Sequence, residues 1–305
     1  MKSGEEITYS SCPVCTSSYE KWRCKITGAG SFNIVKCKQC GYAFVNPRPS
    51  YNYLMNYYST EGHRAGISIG EKATLGFVLK QEVAFPNSTV DAKRIMKTLS
   101  IVRGDQIKGA NRFLDIGCGY GFFSREALEN KYAVTALELA STEKSITKEM
   151  TGIDPIQISF EDFSENDSSY DIILMSQILE HALDVNEWIS KAESLLADQG
   201  ILVIALPNFM SIFRLILKEK EPYICPPDHL NYFSSKNLTI LMQKNGLSVE
   251  AVQYVSRISP QALLKRLSNR KSLLFILTPL IKAVFKIIDF LHLGMMINIY
   301  AKKRK

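Results

Sequence analysis

The chain has 305 residues, 46% hydrophobic and 22% charged, so it can bury a normal core as one large domain with attachments or as two modest ones. The net charge of +7 is mild and gathers near the C-terminus, at Lys265, Arg266, Arg270, Lys271 and Lys302–Lys305. That distribution points to an anionic surface or substrate rather than to sequence-specific nucleic-acid binding, or else to ordinary solvated charge.

Met1–Ser11 is polar and shows no secretory signal, so a cytoplasmic location is expected. In a reducing compartment close cysteine pairs favour metal over disulfide. Cys12-Pro-Val-Cys15 and Cys37-Lys-Gln-Cys40 are two such pairs, separated by 21 residues. Each C-x-x-C turn presents two thiolates, and two turns complete a tetrahedral Zn2+ site. The alternatives are free buried cysteines or a redox pair. Four thiolates leave no open coordination position, so the expected zinc is structural and stabilises a module with little core of its own. Cys24 lacks a near partner and is not expected to be a ligand. Residues 1–50 are therefore read as a zinc ribbon and 51–110 as a helical lid or connector.

After the second knuckle the chain reads Gly41-Tyr-Ala-Phe-Val-Asn-Pro-Arg-Pro-Ser50 and continues into Tyr57-Tyr58. A short helix is predicted over Tyr51–Tyr58. The stretch from Gly62 to Gly76 reads as a lid, and the spacing of Ile95, Met96, Leu99 and Val102 predicts a helix over Val90–Val102.

The organising stretch is Asn111–Phe122. A short apolar strand, Phe113–Ile116, carries Asp115 and runs into Gly117, Gly119 and Gly121 at alternate positions, and a helix begins at Phe122. Strand, glycine turn and helix form the layout in which backbone N–H groups meet a ligand at a helix N-terminus. Phe122 stands where a dinucleotide fingerprint would have its third glycine. Asp115-x-Gly117-x-Gly119-x-Gly121 instead resembles the cofactor loop of class I S-adenosylmethionine-dependent methyltransferases. The two knuckles with Asn46-Pro47-Arg48-Pro49 resemble the N-terminal ribbon of a bacterial group that includes sugar C-methyltransferases. The resemblance covers Cys12 to about Tyr254. It implies a Rossmann-like α/β sheet of seven strands, the last antiparallel, over 111–305.

The same resemblance places site residues. Asp115, Gly117, Cys118 and Gly119 would cradle the methionine part of S-adenosylmethionine. Glu138, at the end of a predicted second strand Tyr132–Leu137 and 23 residues past Asp115, would accept the ribose hydroxyls, with Leu139 beside it. A third strand is predicted over Asp154–Phe160, followed by Asp162 and Phe163 at the adenine. Asp162 is alternatively a helix cap. Tyr170–Met175 reads as a buried fourth strand leading into Ser176, a further cofactor contact, and Glu180-His181, a pair also found in ubiquinone-biosynthesis-type methyltransferases. His181 is a candidate base, a substrate contact or a cap. Asp184-x-x-Glu187 opens a helix that Gly200 closes, and Ile201–Leu206 is a fifth strand. His229, in His-Leu-Asn-Tyr-Phe-Ser234, is a second base candidate or a loop-ordering residue. Helix Ser235–Asn245 and strands Leu247–Tyr254 and Met295–Ala301 follow.

An insertion of about 40 residues separates the last two strands, with an amphipathic run at 272–293. Lys282, Lys286 and Asp289 form a polar stripe on an otherwise apolar helix, which together with Pro279 disfavours a membrane span. The apolar face is expected either on the inner face of the membrane or packed against protein, such as a second copy in a homodimer. The function expected is methyl transfer to a small-molecule or lipid-linked sugar. Quinone-ring O-methylation and a non-catalytic binding module are the alternatives. No nucleic-acid partner is expected.

Overall fold

The computed structural model describes residues 6–60, 73–84, 87–104, 111–165, 170–256 and 271–304. Most of the predicted lid and the basic stretch 265–270 lie outside them.

The N-terminal part is built from a hairpin, β1 (Tyr19–Thr27) and β2 (Gly30–Cys37), and a short strand β3 (Ala43–Val45). The helices α1 (Tyr51–Thr60), α2 (Leu75–Ala84) and α3 (Asn87–Arg103) follow. Helix α3 buries Ala92, Ile95, Met96 and Leu99, the predicted face.

Strand β4 (Arg112–Ile116) leads into α4 (Phe122–Glu129), β5 (Ala133–Leu137) and α5 (Ser141–Thr151). Strand β6 (Tyr170–Ser176) is buried along most of its length, as an apolar strand covered on both faces must be. Asp184 caps α6 (Val185–Leu195) by accepting the N–H groups of Asn186 and Glu187. Strand β7 (Leu196–Pro207) starts where α6 ends, so Gly200 lies inside a strand and not at a helix end. Its reason is close approach: a Cβ there would stand 2.7 Å from the Tyr170 carbonyl oxygen. The chain then forms α7 (Ile212–Leu217), β8 (Asn231–Tyr232), α8 (Ser235–Lys244), β9 (Leu247–Val255), α9 (Lys271–Phe290) and β10 (Met296–Lys303).

The central sheet has six strands in the order β5-β4-β6-β7-β10-β9. Strands β5, β4, β6 and β7 are parallel, and β10 runs antiparallel between β7 and β9. The predicted strand at Asp154–Phe160 is reduced to one bridge, Ile156 to Leu137. Ile156 exchanges hydrogen bonds with Ala136 and Glu138, but the Ile158 N–H then turns back onto the Ile156 carbonyl, which stops the ladder. Among the described residues the sheet therefore has six strands where seven were predicted.

A second, four-stranded sheet has the order β1-β2-β3-β8. Its last strand comes from the segment after β7, so the cysteine-bearing part and the carboxyl edge of the central sheet share a β ladder.

Helix α9 carries the predicted stripe with one change. Asp289 does not face water, because its carboxylate accepts the Ser256 hydroxyl at 2.6 Å and the Ser256 N–H at 3.2 Å. Leu280, Val284, Ile287 and Phe290 are exposed large apolar positions of the helix, and Leu291 follows just after it. Lys302 and Lys303 belong to β10, where Lys302 donates to the Val102 carbonyl and Lys303 pairs with Glu193. They are not a free basic tail.

Candidate active site at the carboxyl edge

The glycine loop between β4 and α4 shapes one side of the site. Gly117 and Gly119 have φ of +65° and +55°, the left-handed region. A Cβ on Gly117 would strike Ile178, whereas above Gly119 the space is open, so a ligand has room to approach there. Thr147 fixes the loop by donating from its hydroxyl to the Gly119 carbonyl at 2.7 Å.

Glu138 stands at the end of β5 and faces this loop. Its carboxylate accepts the Gly119 N–H at 2.8 Å through one oxygen and the Ala140 N–H at 2.9 Å through the other. Leu139 is exposed beside it. Asp115 is buried and accepts the Ser124 hydroxyl at 2.6 Å. Burial pushes its carboxyl up to about 7, with the Glu138 charge acting in the same sense and the Ser124 hydrogen bond against it. Burial likewise raises the Cys118 thiol.

The turn Ser159–Phe163 forms the next wall. Asp162 is exposed and receives the Ser159 hydroxyl at 3.0 Å, and Phe163 is buried. Trp188 and Lys191 of α6 hold this turn by donating to the Glu161 carboxylate and to the Phe160 and Glu161 carbonyls. At the end of β6 the buried Ser176 hydroxyl finds no partner among the described residues, and Gln177 after it takes a φ of +57°.

His181 and His229 close the opposite side. They are 48 residues apart in sequence, yet their rings meet edge to face with centroids 4.9 Å apart. His181 Nδ1 lies 2.7 Å from the Asp228 carbonyl oxygen, and His229 Nδ1 lies 2.9 Å from that of Tyr223. A carbonyl can only accept, so each Nδ1 carries a proton, and the neutral form of each ring would hold its lone pair on Nε2. Glu180 is buried beside the pair, and a ligand-type atom of each of Glu180, His181 and His229 lies within 4.8 Å of the others. His229 also lines a cleft with Asn208, Arg214, Glu221, Tyr223 and Asn231.

The four thiols of Cys12, Cys15, Cys37 and Cys40 lie apart from this edge and within 4.8 Å of one another. Cys12 and Cys40 Sγ are 3.7 Å apart, Cys15 and Cys37 Sγ 3.4 Å. Tetrahedral Zn–S bonds of about 2.3 Å put sulfurs roughly 3.8 Å apart, and these two spacings are near that value. The neighbouring Cys40 thiol favours the Cys12 thiolate, which lies at about 5. Cys24 is exposed on β1, away from the cluster.

A methyltransferase domain family model matches residues 90–252, more than half of the chain. The chain belongs to this methyltransferase family. Its fold is that of the class I S-adenosylmethionine-dependent methyltransferases. An S-adenosylmethionine-dependent methyltransferase from Archaeoglobus fulgidus superposes with a TM-score of 0.53 at 19% identity, covering 74% of this chain and all of that one. Magnesium protoporphyrin IX methyltransferase from Synechocystis superposes with a TM-score of 0.52 at 13% identity, covering 83% of this chain and 99% of that one. A ubiquinone biosynthesis O-methyltransferase from Bartonella tribocorum is 25% identical over 156 residues, 45% of this chain and 63% of the relative. The chain thus spans less than two thirds of that relative's length.

Within this methyltransferase fold the structure brings Gly117, Gly119, Glu138 and Ser176 to one edge and gathers the two histidines beyond them. Asp115 and Cys118 are turned into the body of the loop. Sequence reasoning missed Thr147 and Ile178, which pack on the loop from other elements. It also missed Arg48 and Asn231, although both lie in motifs it had singled out.

Proposed function

We propose that this protein transfers a methyl group from S-adenosylmethionine to a small-molecule acceptor held between the glycine loop and the His181–His229 pair. The observation that carries this reading is the Glu138 carboxylate lying against the Gly119 N–H with open space above that glycine. Glu138 would take the ribose hydroxyls, the loop the methionine end, and the Ser159–Phe163 turn the adenine. The bound cofactor supplies an electrophilic methyl group on a sulfonium. The chain's own part is to align the acceptor with that methyl and to exclude water.

For an oxygen acceptor, Nε2 of His181 or His229 takes the hydroxyl proton as the new C–O bond forms and the C–S bond breaks. Glu180 is buried beside the pair, where a carboxylate would offset the imidazolium. For a sugar carbon beside a ketone, the same base would remove the C–H proton to give an enolate. The four-cysteine ribbon holds a structural zinc ion in this reading.

The first acceptor class we infer is a nucleotide- or lipid-linked sugar, supported by the cysteine ribbon and the Asn46–Pro49 motif. Quinone-ring O-methylation is the second, favoured by the ubiquinone biosynthesis O-methyltransferase relatives. A lipid-linked sugar and a quinol would each be drawn from a membrane. No described helix is long and apolar enough to cross one. Leu280, Val284, Ile287 and Phe290 of α9 and Leu215, Ile216 and Leu217 of α7 are nevertheless exposed. The Ile212 N–H to Leu293 carbonyl bond brings these two elements together. Lys282 and Lys286 on α9 and Lys218 and Lys220 after α7 would face anionic headgroups. Incubation with methyl-labelled cofactor and either acceptor class, followed by mass spectrometry, tests the reading. Label in a sugar or quinol product supports it, and no transfer to any acceptor contradicts it.

A further inference from the structure

The cysteine ribbon and the histidine pair, separate features of the sequence, are joined by one buried residue. Arg48 is fully buried. Its Nη1 donates to the Ala182 carbonyl at 2.9 Å and to the Leu183 carbonyl, and its Nη2 donates to Asn231 Oδ1 at 2.6 Å and to the Tyr42 hydroxyl at 3.3 Å. Its guanidinium lies 5.0 Å from the centre of the Tyr9 ring and 5.9 Å from that of Phe44. Tyr9, Tyr42 and Phe44 all belong to the ribbon.

Asn231 carries the connection onward. Its Nδ2 donates to the carbonyls of Leu179, Glu180 and Ala182 at 3.3, 3.2 and 2.8 Å, on both sides of His181. It also lies two residues after His229, and β8, which contains it, pairs with β3 through Phe44↔Asn231 and Ala43↔Tyr232. The Leu230 N–H donates to the Glu180 carbonyl at 2.9 Å. Both histidine-bearing segments are therefore fastened to the ribbon through backbone groups. The Nδ1–H bonds that set the imidazole tautomers run to carbonyls of the same loop, Asp228 and Tyr223. Displacing this loop would free both rings.

We propose that the cysteine ribbon is a positioning element for the acceptor side of the site, with Arg48 and Asn231 as the residues that hold His181 and His229 in their paired, Nε2-basic state. This rests on the reading of the pair as the acceptor wall. A planar fork that engages two carbonyls and an amide oxygen at once is a use of arginine that lysine cannot reproduce.

The chain has four histidines, His63, His181, His229 and His292. Protein labelled with 15N histidine therefore gives a sparse long-range 1H–15N spectrum. In the wild type His181 and His229 should each show well-separated Nδ1 and Nε2 resonances of the Nδ1–H tautomer. In Arg48→Lys, and in wild type stripped of metal by a chelator, these resonances should converge for both residues. His292, stacked on Tyr254, should stay unchanged. Affinity for S-adenosylhomocysteine, measured by calorimetry, should remain measurable, since the Glu138 carboxylate is held by the Gly119 and Ala140 N–H groups and not by the Arg48 network. If Arg48→Lys does not fold, Tyr42→Phe, which removes one hydroxyl from the network, is read in its place and should show the same convergence in smaller degree. Unchanged His181 and His229 resonances in the folded variant and in the stripped protein would overturn the proposal. Loss of S-adenosylhomocysteine binding by the wild type would instead sink the cofactor assignment, which the histidine spectrum does not report.

Discussion

Gly117 and Ile178 are packed so closely that a Cβ on Gly117 would stand 2.7 Å from Ile178 Cδ1. The glycine loop after β4 and the segment after β6 are thereby in direct contact. Gly117→Ala should lower stability by about 1–3 kcal/mol, through the clash and through the φ of +65°. Adding Ile178→Ala should relieve the clash and leave the backbone part. A double-mutant cycle by urea denaturation measures this; strict additivity would show that the two side chains do not meet.

Two buried carboxyls make stability fall as pH rises. Burial pushes Asp115 and Glu221 each up to about 7, above their ordinary values of 3.8 and 4.5. The folded state thus holds more protons than the unfolded one between roughly pH 4 and 7, and stability drops across that window. For Asp115 a displacement of that size corresponds to on the order of a few kcal/mol. Asp115→Asn should flatten the slope and gain on the wild type at pH 8, seen in thermal unfolding followed across pH. An unchanged slope would contradict the buried-carboxyl account.

Elemental analysis should find about one zinc per chain, and cobalt exchanged into the site should show thiolate charge-transfer bands. Replacing Cys37 and Cys40 by serine should remove the metal and raise hydrogen exchange in β1–β3. Metal-free protein with an equally protected ribbon would show that zinc does not hold this fold.

The exposed positions of α9 differ from a simple helical-wheel expectation because Asp289 is tied to Ser256. Reversible sedimentation with anionic vesicles is expected at low salt, weakening as salt is raised, with about 1 kcal/mol from each lysine at the surface. Val284→Asp or Ile287→Asp should weaken it several-fold. Wild type that stays in the supernatant would direct attention to a dimer interface on the same face.

Most of the central sheet was legible in the sequence because its strands are apolar runs that need no partner to be recognised, such as Tyr170–Met175 and Ile201–Leu206. The glycine loop was legible because its residue types are forced by backbone geometry. Less was visible where pairing or turning decides the outcome. The segment at Asp154–Phe160 has strand-like residues but turns back after Ile156. Gly200 serves strand packing against Tyr170 and closes no helix. Strand β8 has two residues, and its partner Ala43 lies 189 residues before Tyr232, so no local pattern marks it. The sequence offered His181 and His229 as rival bases; only their fold-level meeting makes them a pair. Arg48 stood in a familiar motif, but its burial depends on carbonyls some 134 residues away.

Calorimetric titration of S-adenosylhomocysteine into the wild type, Glu138→Ala and Gly119→Val tests the central claim most directly. Loss of the Glu138 carboxylate removes charged hydrogen bonds, a scale of about 1–3 kcal/mol. A valine at Gly119 would fill the open space above the loop and resist its left-handed conformation. We predict measurable binding by the wild type and a loss of roughly 5- to 150-fold in each variant, with the folds intact by circular dichroism. Equal affinity in all three proteins, or no binding by folded wild type, would contradict the assignment of this edge as the cofactor site.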